Sequence, residues 1–260
     1  MLKANGLDEA SQFNNLYEAL KDNFKRIITL DTDVEKFEEY YANLGWKILF
    51  SSISSSSEDI NTTKLLEHIA NEAGFNTDFE FIENVQFNDD GIFKDEESFE
   101  FWFKLIPWEN IAIEESELAL ILTEIIKEKR AIIFNPAYSL MFQSKGFMKI
   151  LWDLYPNHPL LLETSFEPLV GKKQVEKRCF GREGANTKII NSDGSIDVQT
   201  DGDYEGHKAI YQEYVELPTD SMGNSYQAGV FYAYEACGLG FRRGEKILNN
   251  MSKFVGHIIK

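Results

Sequence analysis

A chain of 260 residues with 43% hydrophobic and 13% aromatic side chains is long enough to bury a substantial core. Its 43 Asp and Glu against 26 Lys and Arg give a net charge of -17, which repels phosphate backbones and anionic headgroups at long range, arguing against nucleic acid and membrane partners. Cys179 and Cys237 lack the spacing of a zinc site or a disulfide framework, and no apolar run approaches a signal h-region or a membrane span, so the expected location is cytoplasmic.

Leu16, Leu20, Phe24 and Ile27 recur at helical spacing and predict an amphipathic helix over about residues 9 to 28, with an acidic helix at about 33 to 43. The period then changes. Trp46 to Phe50 reads as a strand, Ser51 to Ser57 as a low-complexity turn, and about 59 to 73 as a helix, the order of an α/β crossover. Phe79 to Ile82 is the next strand, Asn88-Asp89-Asp90-Gly91 marks a turn, and Phe99 to Ile106 reads as one strand stopped by Pro107. A helix over about 115 to 129 leads into the strand Ala131 to Phe134, an alternation that predicts a mainly parallel sheet. From about residue 160 the pattern turns β-rich, with strands near 173 to 180, 187 to 191, 208 to 216 and 227 to 235. The expected fold class is α/β (α+β) in a single 1–260 domain, an α/β lobe over 1–135 followed by a β-rich lobe over 136–260.

In so acidic a chain a small phosphate ligand can bind only where cations gather. The densest basic segment is Lys172 to Asn186. Alternation along a strand puts Lys173, Val175, Lys177 and Cys179 on one face, next to a loop, Gly181-Arg182-Glu183-Gly184-Ala185-Asn186, whose small residues let backbone N–H groups approach an anion. The same pattern also describes a solvated edge strand and its hairpin turn. Lys145 stands just before a helix with an apolar stripe of Phe147, Ile150, Leu151 and Leu154, and a lysine there opposes the helix dipole unless an anion is bound; the alternative is a surface loop lysine. Gly238-Leu239-Gly240 does not sit between a clear strand and a long helix, so a Rossmann reading is rejected. Arg242 beside it is a fixed cation suited to a transferring phosphoryl or acyl-phosphate group, or a surface arginine at a hairpin end. No pair of the four histidines, His68, His158, His207 and His257, has His-x-x-x-His spacing, and the carboxylate runs at Asp31 to Glu39 and Asp95 to Glu97 read as solvated faces. The four tryptophans read as core.

Taken in order, several segments resemble the glutathionylspermidine synthase family. They are Ser11 to Leu16, Leu105 to Glu109, Gln143 to Gly146, Leu151 to Pro159, Gly181 to Asn186, Ile210 to Gln212, Gly238 to Arg242 and Met251 to Ile259. The resemblance implies an ATP-grasp-like fold and an ATP-dependent carboxylate–amine ligase, which activates a small carboxylic acid or peptide as an acyl phosphate for attack by an amine such as a polyamine. It places Lys145 and Lys177 at the nucleotide phosphates, residues 181 to 186 in the mobile loop above them, Tyr211, Gln212 and Glu213 on the strand that meets the adenine, and Arg242 at the transferring group. Arg178 follows Lys177 where the family motif has Pro, and Arg243 and Gly244 replace acidic residues typical after Arg242.

The family's Mg²⁺ ligands lie in Arg-Phe-Asp and Glu-Tyr-Asn elements, whose place is upstream of Met1. The expectation is therefore ATP as ligand, Mg²⁺ without its usual ligands among these residues, no amidase domain, and a separate N-terminal chain as a partner for activity. Phosphoryl transfer without charge neutralisation by Mg²⁺ is poorly offset. The alternative is a catalytically inactive nucleotide-binding or interaction protein derived from the same family.

Overall fold

The computed structural model describes residues 12–29, 34–42 and 44–257. Residues 9 to 11 of the first predicted helix, parts of the second and of the Asp31 to Glu39 run, Ser11, Ile258 and Ile259 lie outside the described residues. The chain divides into two compact units, one of residues up to Leu140 with Phe231–Gly238, the other of Met141–Val230 with the residues from Leu239 on.

The first unit opens with α1 (Gln12–Thr29), α2 (Phe37–Ala42), β1 (Lys47–Ser52), α3 (Ser57–Glu72) and β2 (Asn76–Phe81). A meander follows of β3 (Gln86–Asn88), β4 (Gly91–Lys94) and β5 (Glu97–Phe99), and then β6 (Phe101–Lys104), α4 (Trp108–Glu114), α5 (Ser116–Lys127) and β7 (Ile132–Phe134). The order β2-β1-β6-β7 makes a parallel four-stranded sheet. Consecutive Ile48, Leu49 and Phe50 are all fully buried, which requires cover on both faces of β1 and explains its unbroken apolar run. Alternation divides the core. Ile48, Phe50, Phe101 and Phe103 pack with Phe24, Ile69 and Phe75, while Leu49 and Trp102 pack with Trp108, Ile111, Leu122 and Ile125.

Two sequence expectations change here. The serine tract is not one turn. Ser51 and Ser52 finish β1, where the buried Ser51 hydroxyl accepts from Trp102 Nε1 at 2.9 Å, and Ser56 caps α3 by accepting from Asp59 N at 3.2 Å. The predicted strand Phe99 to Ile106 is two strands in two sheets, because Phe99 pairs with Ile92 in the meander while Phe101 pairs with Ile48 in the parallel sheet. Glu100 between them takes Ile132 N on its carbonyl and Lys47 N on its carboxylate, fixing the switch. The turn at Asn88 to Gly91 holds: Asn88 Oδ1 accepts from Asp90 N at 2.9 Å and Gly91 adopts φ +144°.

After α6 (Ser139–Gln143), the second unit contains α7 (Gly146–Leu154), β8 (Thr164–Ser165), β9 (Gln174–Arg178), β10 (Lys188–Ile190), β11 (Ile196–Gln199) and β12 (Ala209–Glu213). They form an antiparallel sheet in the order β11-β10-β9-β12-β8. The chain continues through β13 (Ser225–Ala233), β14 (Glu235–Gly244) and β15 (Lys253–Val255), neighbours in a three-stranded sheet. Among the described residues, no helix is long and apolar enough to cross a membrane.

Candidate functional site

The second unit holds a cavity of about 590 Å³ against the β9–β12 pair, within the range of small-molecule sites. Register determines which residues face it. Lys177 stands opposite Ile210, and Val175 opposite Gln212, so these four share one face, of which Val175, Lys177 and Gln212 line the cavity while Ile210 is buried; Glu176 and Tyr211 take the other face, as does Arg178, which still lines the cavity from the end of β9. Val175, Leu162, Thr187 and Ile189 supply a mostly apolar wall, and the two lysines supply charge at one end.

Lys145 is the N-cap of α7, and its backbone N–H donates to Cys179 O at 2.8 Å, tying the helix start to the end of β9. Its Nζ donates to Gly181 O. Lys177 Nζ donates to Gln212 Oε1 at 2.9 Å, and Gln212 Nε2 in turn donates to the hydroxyl of Thr164 at 3.1 Å. This chain orients the Gln212 amide and leaves further N–H bonds of the Lys177 ammonium for a ligand. Burial pushes both lysines below the ordinary amine range. The charge of Lys145 lowers Lys177 further; at Lys145 burial outweighs an upward pull from Cys179, and the charge of Arg182 adds a smaller downward one. Two desolvated ammonium groups that repel each other are relieved by an anion between them.

The loop expected over the phosphates is folded tightly. Gly181 N–H donates to Arg178 O, Ala185 N–H donates to Arg182 O, and Glu183, Gly184 and Asn186 all adopt φ near +50° to +73°. Gly181, Arg182, Glu183, Gly184 and Ala185 line the cavity with Lys145 and Lys177. Asn186 turns away, accepting from Tyr204 N at 2.7 Å. On the β12 side Gln212 and Glu213 line the cavity and Tyr211 does not; it lies across from Glu176 on the opposite face. Arg242 is likewise outside the lining. It sits within β14, where its guanidinium donates to Asn249 O and Ser252 O.

The sequence reading missed part of the wall. Tyr214, Val215, Glu216 and Leu217 line the cavity just after β12, and Lys246, Ile247 and Leu248 line it from beyond β14. The first group lies where the strand was expected to run to 216, and Pro218 was the available sign that it ends sooner. Nothing in the sequence marks the second group. Among the described residues no group of three or more His, Cys, Asp and Glu side chains converges as a metal site. The carboxylates lining the cavity are Glu183, Glu213 and Glu216, and the cations lining it are Lys145, Lys177, Arg178, Arg182 and Lys246.

The cavity thus brings paired lysines and a glycine-containing loop together beside β12 in a mixed α/β protein. The chain belongs to the glutathionylspermidine synthase preATP-grasp family, whose pattern matches residues 1–260. It is 27% identical over 266 residues to a Haemophilus influenzae protein described as "Putative acid–amine ligase", covering 97% of this chain and 63% of that one. It is 26% identical over 125 residues to the bifunctional glutathionylspermidine synthetase/amidase of Escherichia coli, covering 43% of this chain and 20% of that protein. The chain thus spans less than two thirds of the length of these relatives. Among solved structures, the ATP-grasp ligase PsnB complexed with minimal precursor aligns at a TM-score of 0.42 and 11% identity over 80% of this chain and 74% of that one.

Proposed function

We propose that the second unit's cavity binds ATP and serves an ATP-dependent carboxylate–amine ligase. The observation that carries this reading is the pair Lys145 and Lys177, two desolvated ammonium groups that line one cavity together with the Gly181–Ala185 loop. Their ammonium groups and the backbone of Gly181–Ala185 receive the phosphates, and the Glu213–Leu217 segment flanks the base. Family membership supports the same reading, as do the ligase and synthetase descriptions of the relatives. In the ligation a carboxylate oxygen attacks the γ-phosphorus and ADP leaves; an amine then attacks the acyl carbon, phosphate leaves, and the amine proton passes to solvent. The chain's own residues bind and orient the nucleotide through these steps. The acid is a small carboxylic acid or peptide and the amine a polyamine or similar cation, which a chain of net charge -17 attracts.

ADP release in the presence of ATP, Mg²⁺, glutathione and spermidine tests the ligase reading, with Lys177→Ala expected to abolish it. Saturable ATP binding without any such turnover instead supports a catalytically inactive nucleotide-binding protein, a reading favoured by the placement of Arg242 outside the cavity lining.

A further inference from the structure

We propose that residues 246–252 form a strap that seats the 181–186 loop at the lysine end of the cavity, and that Arg242 is the positioning residue that sets this strap. The functional consequence rests on the nucleotide reading above; the structural consequence does not.

The strap and the loop meet more closely than side chains allow. A Cβ on Gly184 would stand 2.4 Å from Leu248 O and 3.0 Å from Ile247 Cγ2, so the loop backbone lies directly on the strap. Thr200 Oγ1 donates to Gly184 O at 2.5 Å, and a Cβ on Gly202 would stand 2.6 Å from Ala185 Cβ. The loop is therefore backed on two sides, and only the strap side is built from residues distant in sequence.

The strap is held at both ends. At its start Lys246 Nζ donates to Asp197 at 2.6 Å. At its end Asn249 and Ser252 close a turn: Asn249 N donates to Ser252 Oγ at 3.0 Å and Ser252 N donates to Asn249 O at 3.1 Å. Arg242 caps that turn, with Nη2 donating to Asn249 O at 3.0 Å and to Ser252 O at 3.4 Å. A Cβ on Gly244 would stand 2.2 Å from Ser252 Oγ, so the turn lies flat on β14 and places its carbonyls over the guanidinium two residues earlier. The permanently charged guanidinium reaches both carbonyls through the two N–H bonds of Nη2, held in its plane. Without Arg242 the Ser252 carbonyl loses the guanidinium and the Asn249 carbonyl keeps only the Ser252 N–H, the turn loosens, and Leu248 no longer backs Gly184.

Hydrogen exchange on the full chain without ligand tests this inference. In Arg242→Ala the amides of 181–186 and 247–252 are expected to exchange about tenfold faster or more, while those of β9 and β12 keep their protection. Arg242→Lys restores part of the protection. Ser252→Ala, which removes the acceptor of the Asn249 N–H and leaves Arg242 in place, shows the same local pattern to a smaller degree. ATP affinity falls in Arg242→Ala while adenosine affinity does not. Unchanged protection at 181–186, or an equal loss across β9 and β12, overturns the strap. A wild-type chain that binds no ATP removes the nucleotide reading, and the exchange result still decides the strap.

Discussion

Replacing Lys177 by alanine removes a charge-assisted bond at the floor of the cavity. Such bonds contribute about 1.5–3 kcal/mol, so ATP affinity is expected to fall about ten- to a hundredfold by calorimetry, with adenosine affinity unchanged. The pH dependence has a fixed sign. Phosphate binding needs the ammonium form, and both lysines lie below the ordinary 10.5, so ATP affinity is expected to decline with rising pH earlier than an ordinary lysine would cause. At this scale the gathering of the two lysines and residues 181–185 at one cavity was legible because cations are scarce in this chain and glycines flank the loop, whereas Asn186 turns away. Tyr211 was misplaced for want of register: the face it takes depends on its pairing with Glu176, which lies 35 positions earlier. Arg242 was legible as a fixed cation, but its partners come from a turn seven to ten residues later that no local pattern announces.

Among the elements, β6 carries a buried lysine. Lys104, 2% exposed, donates from Nζ to Ile106 O at 2.6 Å and stands 4.2 Å from the centre of the Trp108 ring; burial pushes it down to about 8, against a smaller upward pull from Glu109. Because the unfolded chain holds that proton more tightly, the unfolded state binds more protons between about pH 8 and 10.5, and stability rises with pH across that window. Lys104→Met is expected to flatten that rise in urea unfolding followed from pH 7.5 to 10. Trp102→Phe deprives the buried Ser51 hydroxyl of its donor and is expected to cost about 1–3 kcal/mol in the same assay. The parallel sheet was legible because β1 and β7 are short apolar runs placed before or after amphipathic helices. The β3–β5 meander was not, since strands of three and four residues carry too little alternation to stand out from turns. The break at Glu100 was hidden by apolar residues on both sides of it.

In the whole molecule, the cavity proposed to bind the nucleotide belongs to the second unit, and its cations sit in a chain of net charge -17. That surplus repels polyphosphates at a distance, so ATP affinity is expected to vary only weakly with salt where the buried lysines dominate, because buried charges are screened far less than exposed ones. A steep rise of affinity with salt would instead mean that long-range repulsion governs binding. The central claim is that the two lysines recognise phosphate. Titration calorimetry of the wild-type chain and of Lys145→Ala/Lys177→Ala with ATP and with adenosine, each with Mg²⁺, tests it most directly. Saturable ATP binding by the wild type, lost in the double variant while adenosine binding persists, is the expected result; a double variant that binds ATP as tightly as the wild type, or a wild type that binds none, contradicts the claim.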